Sequence, residues 1–245
     1  MRIGYVIWSL GLGGAEQVAM RLAMACARRG HQVTIFTLND PGVFARQLRG
    51  SGVSVVSAGK RWRYDVAVVW RLRRAFRAQR LDVVHTHLWG ANVWGRLAAG
   101  LAGVRSVIVT EHNVDTWKRR HHWIIDRFLE RWATQLIAVS REVRDFYEAH
   151  GVGRGRWQVI YNGVEAVEPA TVRRDDTYAA LGIDAATPVI GWLGRLVPAK
   201  APEVFLDAVA QLVRALPSVR VLMVGDGPLR QSVEARVRQL GLGRH

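Results

Sequence analysis

Arg195 and Lys200 stand five residues apart in Gly194-Arg195-Leu196-Val197-Pro198-Ala199-Lys200; on a generic surface loop two cations mean nothing, but a place at the carboxyl end of a parallel strand favours an anion site. The planar fork of an arginine and the point charge of a lysine can meet on one diphosphate. Gly11-Leu12-Gly13-Gly14-Ala15-Glu16 offers a second kind of chemistry. Glycines let backbone N–H groups come close to a phosphate, with the positive end of a helix dipole behind them. The loop is neither a Walker A sequence nor a complete Gly-x-Gly-x-x-Gly, so a structural tight turn explains it as well as a phosphate site does. His85-Thr86-His87 invites a metal reading, because alternate residues of a strand point the same way. No carboxylate or cysteine set completes such a site, so no metal is expected. Hydrogen bonding to a sugar or phosphate, or support of the adjacent loops, is the better use of these histidines. Thr110-Glu111-His112-Asn113 sets an acid beside an imidazole. A solvated Glu111 and a capping His112 are the plain alternative there.

Charge forms a third signal. Lys+Arg number 35 against 20 Asp+Glu, a formal net charge of +15. That balance admits a polyanionic partner: nucleic acid, an anionic lipid surface or a phosphorylated substrate. Lysine occurs only at Lys60, Lys118 and Lys200, so a coding bias toward arginine competes with selection for a partner. Two stretches concentrate the cations. Lys60-Arg61-Trp62-Arg63 leads into a helix with Arg71, Arg73, Arg74, Arg77 and Arg80, and Trp117-Lys118-Arg119-Arg120-His121-His122-Trp123 opens a segment with Arg127, Arg131 and Trp132. Cations interleaved with tryptophan suit an anionic membrane surface. Arg61, Trp62, Arg63, Arg73, Arg74, Arg77, Lys118, Arg119 and Arg120 are the candidates to face it; solvated helix faces over buried tryptophans are the alternative.

These residues need elements to position them. The chain has 245 residues, 49% of them hydrophobic and 22% charged, a globular composition with length for one large domain or two smaller ones. The single Cys26 excludes a disulfide scaffold. No run of 18 apolar residues lacks a charge. The apolar run Ile3–Leu12 reads as a buried strand entering a helix and not as a signal peptide, so a cytoplasmic protein is expected. Strands at 3–8, 33–37, 53–56, 82–85, 107–110, 136–139 and 159–161 alternate with helical segments at 15–29, 66–79, 91–102, 119–133 and 140–150, where Ser140 is the N-cap. Such alternation implies βαβ units and a doubly wound, Rossmann-like parallel sheet over residues 1–165. Residues 166–187 read as a linker with a short helix. A second βα series begins at 188, with strands at 189–193 and 219–224. Two parallel strands leave both sheet faces bare, so this second Rossmann-like domain is expected to be incomplete and the sequence a fragment.

In this order the motifs resemble the family 4 glycosyltransferases, retaining nucleotide-sugar enzymes whose two Rossmann-like domains face a cleft (the GT-B fold). The matching residues are Gly11–Glu16, His85-Thr86-His87, Thr110-Glu111-His112-Asn113, Val159-Ile160-Tyr161-Asn162-Gly163-Val164, Gly194-Arg195-Leu196 with Lys200, and Val224-Gly225-Asp226-Gly227-Pro228-Leu229. The resemblance implies that Gly13 and Gly14 lie near the donor phosphates. It implies that Arg195 and Lys200 neutralise the diphosphate, and that His112 is the catalytic-site residue touching the transferred sugar. Glu16, His85, His87, Glu111 and Asn113 are the further acceptor or sugar contacts. It implies no cofactor and no bound metal, a nucleotide-diphosphate sugar as donor, and a saccharide or lipid-linked acceptor at or near the cytoplasmic membrane face. Ala201 departs from the family's usual glycine. The family's Glu-x7-Glu segment is missing from residues 1–245, so little transferase activity is expected of them alone. A basic nucleic-acid-binding module and a non-catalytic, membrane-docked relative are the competing readings. No helix-turn-helix, zinc-finger or RNA-recognition pattern supports the first, and no nucleic acid is expected as a partner.

Overall fold

A computed structural model describes residues 1–62, 64–164 and 173–245. Arg63, one of the membrane-facing candidates, and residues 165–172 around the start of the expected linker lie outside the described residues. The chain divides into two compact units, Met1–Glu165 and Ala166–His245.

In the first unit a seven-stranded sheet comprises β1 (Arg2–Ile7), β2 (Gln32–Thr37), β3 (Val53–Ser57), β4 (Val83–His87), β5 (Ser106–Glu111), β6 (Gln135–Ala138) and β7 (Trp157–Val159). Its spatial order is β3-β2-β1-β4-β5-β6-β7, and every pairing is parallel. The doubly wound sheet is therefore as expected. β1 is buried along nearly its whole length, which is why Ile3–Ile7 reads as an unbroken apolar run. Helices cover both faces. On one, α1 (Gly14–Arg28) presses Met20 and Ala23 onto Tyr5, Ile7 and Ile35. On the other, α2 (Ala67–Ala78) and α3 (Trp89–Ala102) pack Leu72, Phe76, Ala91 and Ala98 onto Val6, Phe36 and Val84. Gly95 makes the close approach of α3 possible, since a Cβ there would stand 2.6 Å from Thr86 Cγ2. Two further helices, α4 (Arg120–Leu129) and α5 (Arg141–Ala149), complete the unit, and Ser140 caps α5 by accepting from the Val143 N–H at 3.2 Å.

The winding reverses beside β1: β2 and β3 lie to one side and β4 to β7 to the other. Ligands of open parallel sheets bind at the carboxyl ends of the strands flanking such a reversal. The loop after β1 and the ends of β4 and β5 are the segments carrying Gly13, His87 and Glu111.

The second unit holds α6 (Arg174–Ala180), α7 (Pro202–Ala215), α8 (Arg230–Gln239) and a parallel pair, β8 (Val189–Leu193) and β9 (Arg220–Val224). Leu196, Leu206, Val209, Val233 and Leu242 form its core. No helix among the described residues is long and apolar enough to cross a membrane.

Candidate functional site

In the second unit the loop after β8 docks backbone to backbone on the loop after β9. Leu196 N–H donates to the Asp226 carbonyl at 2.9 Å, and Leu229 N–H donates to the Leu196 carbonyl at 3.0 Å. The fit depends on two glycines. A Cβ on Gly227 would stand 2.5 Å from the Leu196 carbonyl oxygen, and one on Gly225 would collide with the Gly194 carbonyl oxygen. Main-chain contacts thus fix the loop, and both cations are left outward: Arg195 and Lys200 are exposed. Neither side chain has an ion pair or hydrogen bond among the described residues. The Ala201 departure also finds its place. Position 201 sits in the left-handed region at φ 45°, ψ 50°, where glycine is at ease and alanine is strained by about 1–2 kcal/mol.

In the first unit, Gly13 is the extended N-cap of α1, and the Glu16 carboxylate folds back against it. An anion from the protein's own first helical turn therefore occupies the positive end of the helix. Gly14 has open space about it. A phosphate approaching Gly13 has to displace Glu16.

The ends of β4 and β5 bring three histidines together. His87 Nδ1 lies 3.0 Å from His112 Nε2, His85 Nε2 lies 2.8 Å from Thr110 Oγ1, and the Tyr5 ring packs on His85 and His87. Burial, with a lesser push from His112, moves His85 down to about 3. Burial moves His112 down to about 4 and holds His87 well below the usual histidine range, with His85 and His112 adding to the latter. All three rings are neutral at physiological pH. Among the described residues no three His, Cys, Asp or Glu side chains are grouped to hold a metal ion.

Burial corrects part of the expected contact set. His85, His87 and Glu111 are buried and engaged within the unit, because strands covered on both faces carry their end residues inward too. His112 is half-buried and Asn113 exposed. Lys118 is likewise no membrane-facing residue. Its side chain is fully buried, with Nζ 2.9 Å from Asp126 Oδ2, 3.4 Å from Asp115 Oδ2 and 2.7 Å from Tyr147 Oη. Asp126 also accepts from Arg96 Nη2 at 2.9 Å. Arg96, Asp115, Asp126 and Tyr147 escaped the sequence reading. The available signal was a lone arginine inside the small, apolar α3.

Glu111 borders this network. Burial pushes its carboxyl up to about 7, with Asp126 and Asp115 raising it further while Lys118 and a hydrogen bond from Asn92 oppose the rise. A carboxyl raised on folding favours the folded state below its unfolded value near 4.5, and that contribution is lost as pH climbs through about 7. Glu111→Gln is therefore expected to flatten the fall in stability between pH 5 and pH 8, by up to about 3 kcal/mol. Urea unfolding at both pH values checks this. Identical slopes in wild type and variant would contradict it.

Arg61, Trp62, Arg74, Arg77, Arg119 and Arg120 are exposed, whereas Arg73 leans on α3, its Nε donating to the Leu101 carbonyl at 3.0 Å. Trp70, Ile124 and Phe128, which the sequence reading passed over, are more than half exposed.

Known proteins are similar to this chain along most of its length. A family described as Glycosyltransferase Family 4 matches residues 12–168, and one described as Glycosyl transferases group 1 matches residues 173–245. The chain is 30% identical over 185 residues to the UDP-Gal:alpha-D-GlcNAc-diphosphoundecaprenol alpha-1,3-galactosyltransferase of Escherichia coli, covering 69% of this chain and 47% of that protein. It is 29% identical over 244 residues to the D-inositol 3-phosphate glycosyltransferase of Rhodococcus opacus, covering 88% and 54% respectively. The crystal structure of Anabaena Alr3699/HepE in complex with UDP and glucose shares the fold, with a TM-score of 0.83 at 22% identity over 98% of this chain and 67% of that one. The chain spans about half the length of these two curated relatives.

Proposed function

We propose a function from one premise: this chain belongs to Glycosyltransferase Family 4. Its chemistry is the transfer, with retention, of a sugar from a nucleotide-diphosphate sugar to a saccharide or lipid-linked acceptor. The observation that carries this reading is the pair of exposed cations, Arg195 and Lys200, on a loop locked in place at the carboxyl end of β8. As the bond from the sugar's anomeric carbon to the diphosphate oxygen breaks, negative charge grows on the leaving diphosphate. Cations positioned beforehand stabilise that charge without reorganising. The reading needs no metal or other cofactor. His112 meets the transferred sugar, Asn113 lies beside it, and Gly14 offers open backbone at the start of α1. The E. coli relative's name specifies a UDP-sugar and a diphosphoundecaprenol-linked acceptor, and the Anabaena crystal held UDP. A uridine diphosphate sugar is thus the first donor to test, and a lipid-linked saccharide the first acceptor. Calorimetric titration with UDP tests the reading, with a DNA duplex as competitor. Tight duplex binding with steep salt dependence and no UDP affinity would favour the nucleic-acid alternative.

A lipid-linked acceptor would also give purpose to the exposed aromatics. The helices α2, α3 and α4 lie side by side and present Trp70, Ile124 and Phe128 among arginines, with the Arg131 guanidinium 3.5 Å over the Phe128 ring. We read this face as docking on the anionic cytoplasmic face of a membrane, each well-placed arginine contributing about 1 kcal/mol. Co-sedimentation is expected with phosphatidylglycerol vesicles and not with phosphatidylcholine vesicles, and it should weaken in Trp70→Ala/Phe128→Ala. Equal binding to both vesicle types, or to neither, would contradict it.

A further inference from the structure

Arg80 stands where the backbone asks for glycine. The residue is left-handed, at φ 48°. It closes α2 in a Schellman turn: its N–H donates to the Arg77 carbonyl at 3.0 Å, and the Leu81 N–H donates to the Phe76 carbonyl at 3.1 Å. Just past α1, α3, α5, α6 and α8 the left-handed residue is a glycine. A larger side chain in that conformation is strained, and such strain persists where the side chain has a use. An arginine-rich composition raises the number of arginines without explaining one set on strained backbone.

The surroundings of Arg80 indicate that use. Arg77, Arg80 and Arg105 line a cleft of about 280 Å³ together with Leu81, Asp82 and Gly103. The cleft lies where α2 and α3 end and β4 and β5 begin, at the edge of the sheet opposite the strand ends that carry His87 and Glu111. Arg77 leans across to α3, with Nε 3.5 Å from the Ala102 carbonyl and Nη2 3.5 Å from that of Leu101. Arg80 and Arg105 are exposed, and neither side chain has an ion pair or hydrogen bond among the described residues. Asp82 is already held: Oδ2 accepts from the Arg2 N–H at 2.7 Å, and Oδ1 lies 3.7 Å from Arg2 Nη2. The two helix ends bring about half a negative charge each, so three guanidiniums leave a surplus of about two positive charges.

We propose that this cleft is a second anion site, one that takes a phosphate monoester. Such a group carries close to two negative charges at neutral pH, which matches the surplus, and its terminal oxygens suit the guanidinium fork. A lipid headgroup of the phosphatidic acid type and a soluble sugar phosphate share this chemistry. The site belongs to the first unit and uses neither Arg195 nor Lys200, so it stands or falls independently of the transferase reading.

The test is a 1H–15N correlation titration of the 245-residue chain with inorganic phosphate, the ionic strength held constant with sodium chloride. The Gly103 amide, assigned by its loss in Gly103→Asn, reports on the cleft. Its shift is expected to saturate in the wild type, and to need at least tenfold more phosphate in Arg80→Gly and in Arg105→Gln. Glycine fits the left-handed position, so Arg80→Gly should melt no lower than the wild type in phosphate-free buffer. Three results would overturn the proposal: a wild-type shift that does not saturate, a midpoint unmoved by both substitutions, or a lower melting temperature for Arg80→Gly, which would mark the arginine as kept for the fold. Co-sedimentation with phosphatidylcholine vesicles containing phosphatidic acid then identifies the source. Weaker binding by Arg80→Gly assigns the headgroup, and equal binding assigns a soluble phosphate ester.

Discussion

Asp126→Ala is expected to cost the first unit about 3–5 kcal/mol, because it strands the Arg96 cation where water cannot reach it and takes one of the two carboxylates from Lys118. The Asp126 side chain is 1% exposed; Oδ1 accepts from Arg96 and Oδ2 from Lys118, both at 2.9 Å, and those partners are 2% and 0% exposed. Arg96 is further tied by Nε to the Asn92 carbonyl at 2.8 Å. Lys118 would keep Asp115 and Tyr147, whose hydroxyl accepts from Lys118 and donates to Asp115 at 2.9 Å. Arg96 would keep no anion among the described residues. The network joins α3, α4, α5 and the loop before α4, and so braces the segment that carries Glu111 and His112. Removing both ends of the broken pair in Arg96→Met/Asp126→Leu, which leaves Lys118 with Asp115, is expected to recover much of the loss, since the cost lies in the unpaired charge and not in the missing pair. Urea unfolding measures both. A loss below about 1 kcal/mol for Asp126→Ala would mean that water reaches the network.

How far the sequence could be read depended on the kind of order at stake. The sheet was legible because a strand covered on both faces must be apolar throughout, as Ile3–Ile7 is, and because the helices between strands repeat Val68, Leu72 and Phe76 at helical spacing. Ser140 announced its helix by cap chemistry. The last strand of the first unit was placed two residues late, at 159–161. Its position is set by partners distant in sequence: Trp157 pairs with Leu136, and its indole N–H donates to the Val152 carbonyl at 2.9 Å. Lys118 was misread for a similar reason. In Trp117-Lys118-Arg119-Arg120 nothing local separates the cation that turns inward from those that stay out. Asp126 and Tyr147, which draw it in, lie eight and 29 residues away. The candidate site divides along the same line. That Arg195 and Lys200 follow a strand end was legible in the sequence, whereas the His87–His112 contact appears only once β4 and β5 are seen to pair, His87 beside Thr110.

The loop after β8 yields the second large effect. Arg195→Ala and Lys200→Ala are each expected to weaken UDP binding by about 1.5–3 kcal/mol, roughly 10- to 150-fold, the loss of a hydrogen bond to a charged group. The loop conformation is held by main-chain bonds from Leu196 and Leu229, so truncating either exposed side chain removes a cation without collapsing its support. Arg236→Ala is the matched control in the same unit. Its guanidinium already pairs with Asp207 at 2.6 Å, and its loss leaves UDP affinity unchanged. Both site variants should also flatten the salt dependence of binding, since each removes one attractive charge.

Calorimetric titration of UDP into the wild-type chain, Arg195→Ala and Lys200→Ala at one ionic strength tests the diphosphate assignment most directly. The account predicts saturable binding by the wild type and at least tenfold weaker binding by each variant. Equal affinity in all three proteins would contradict it.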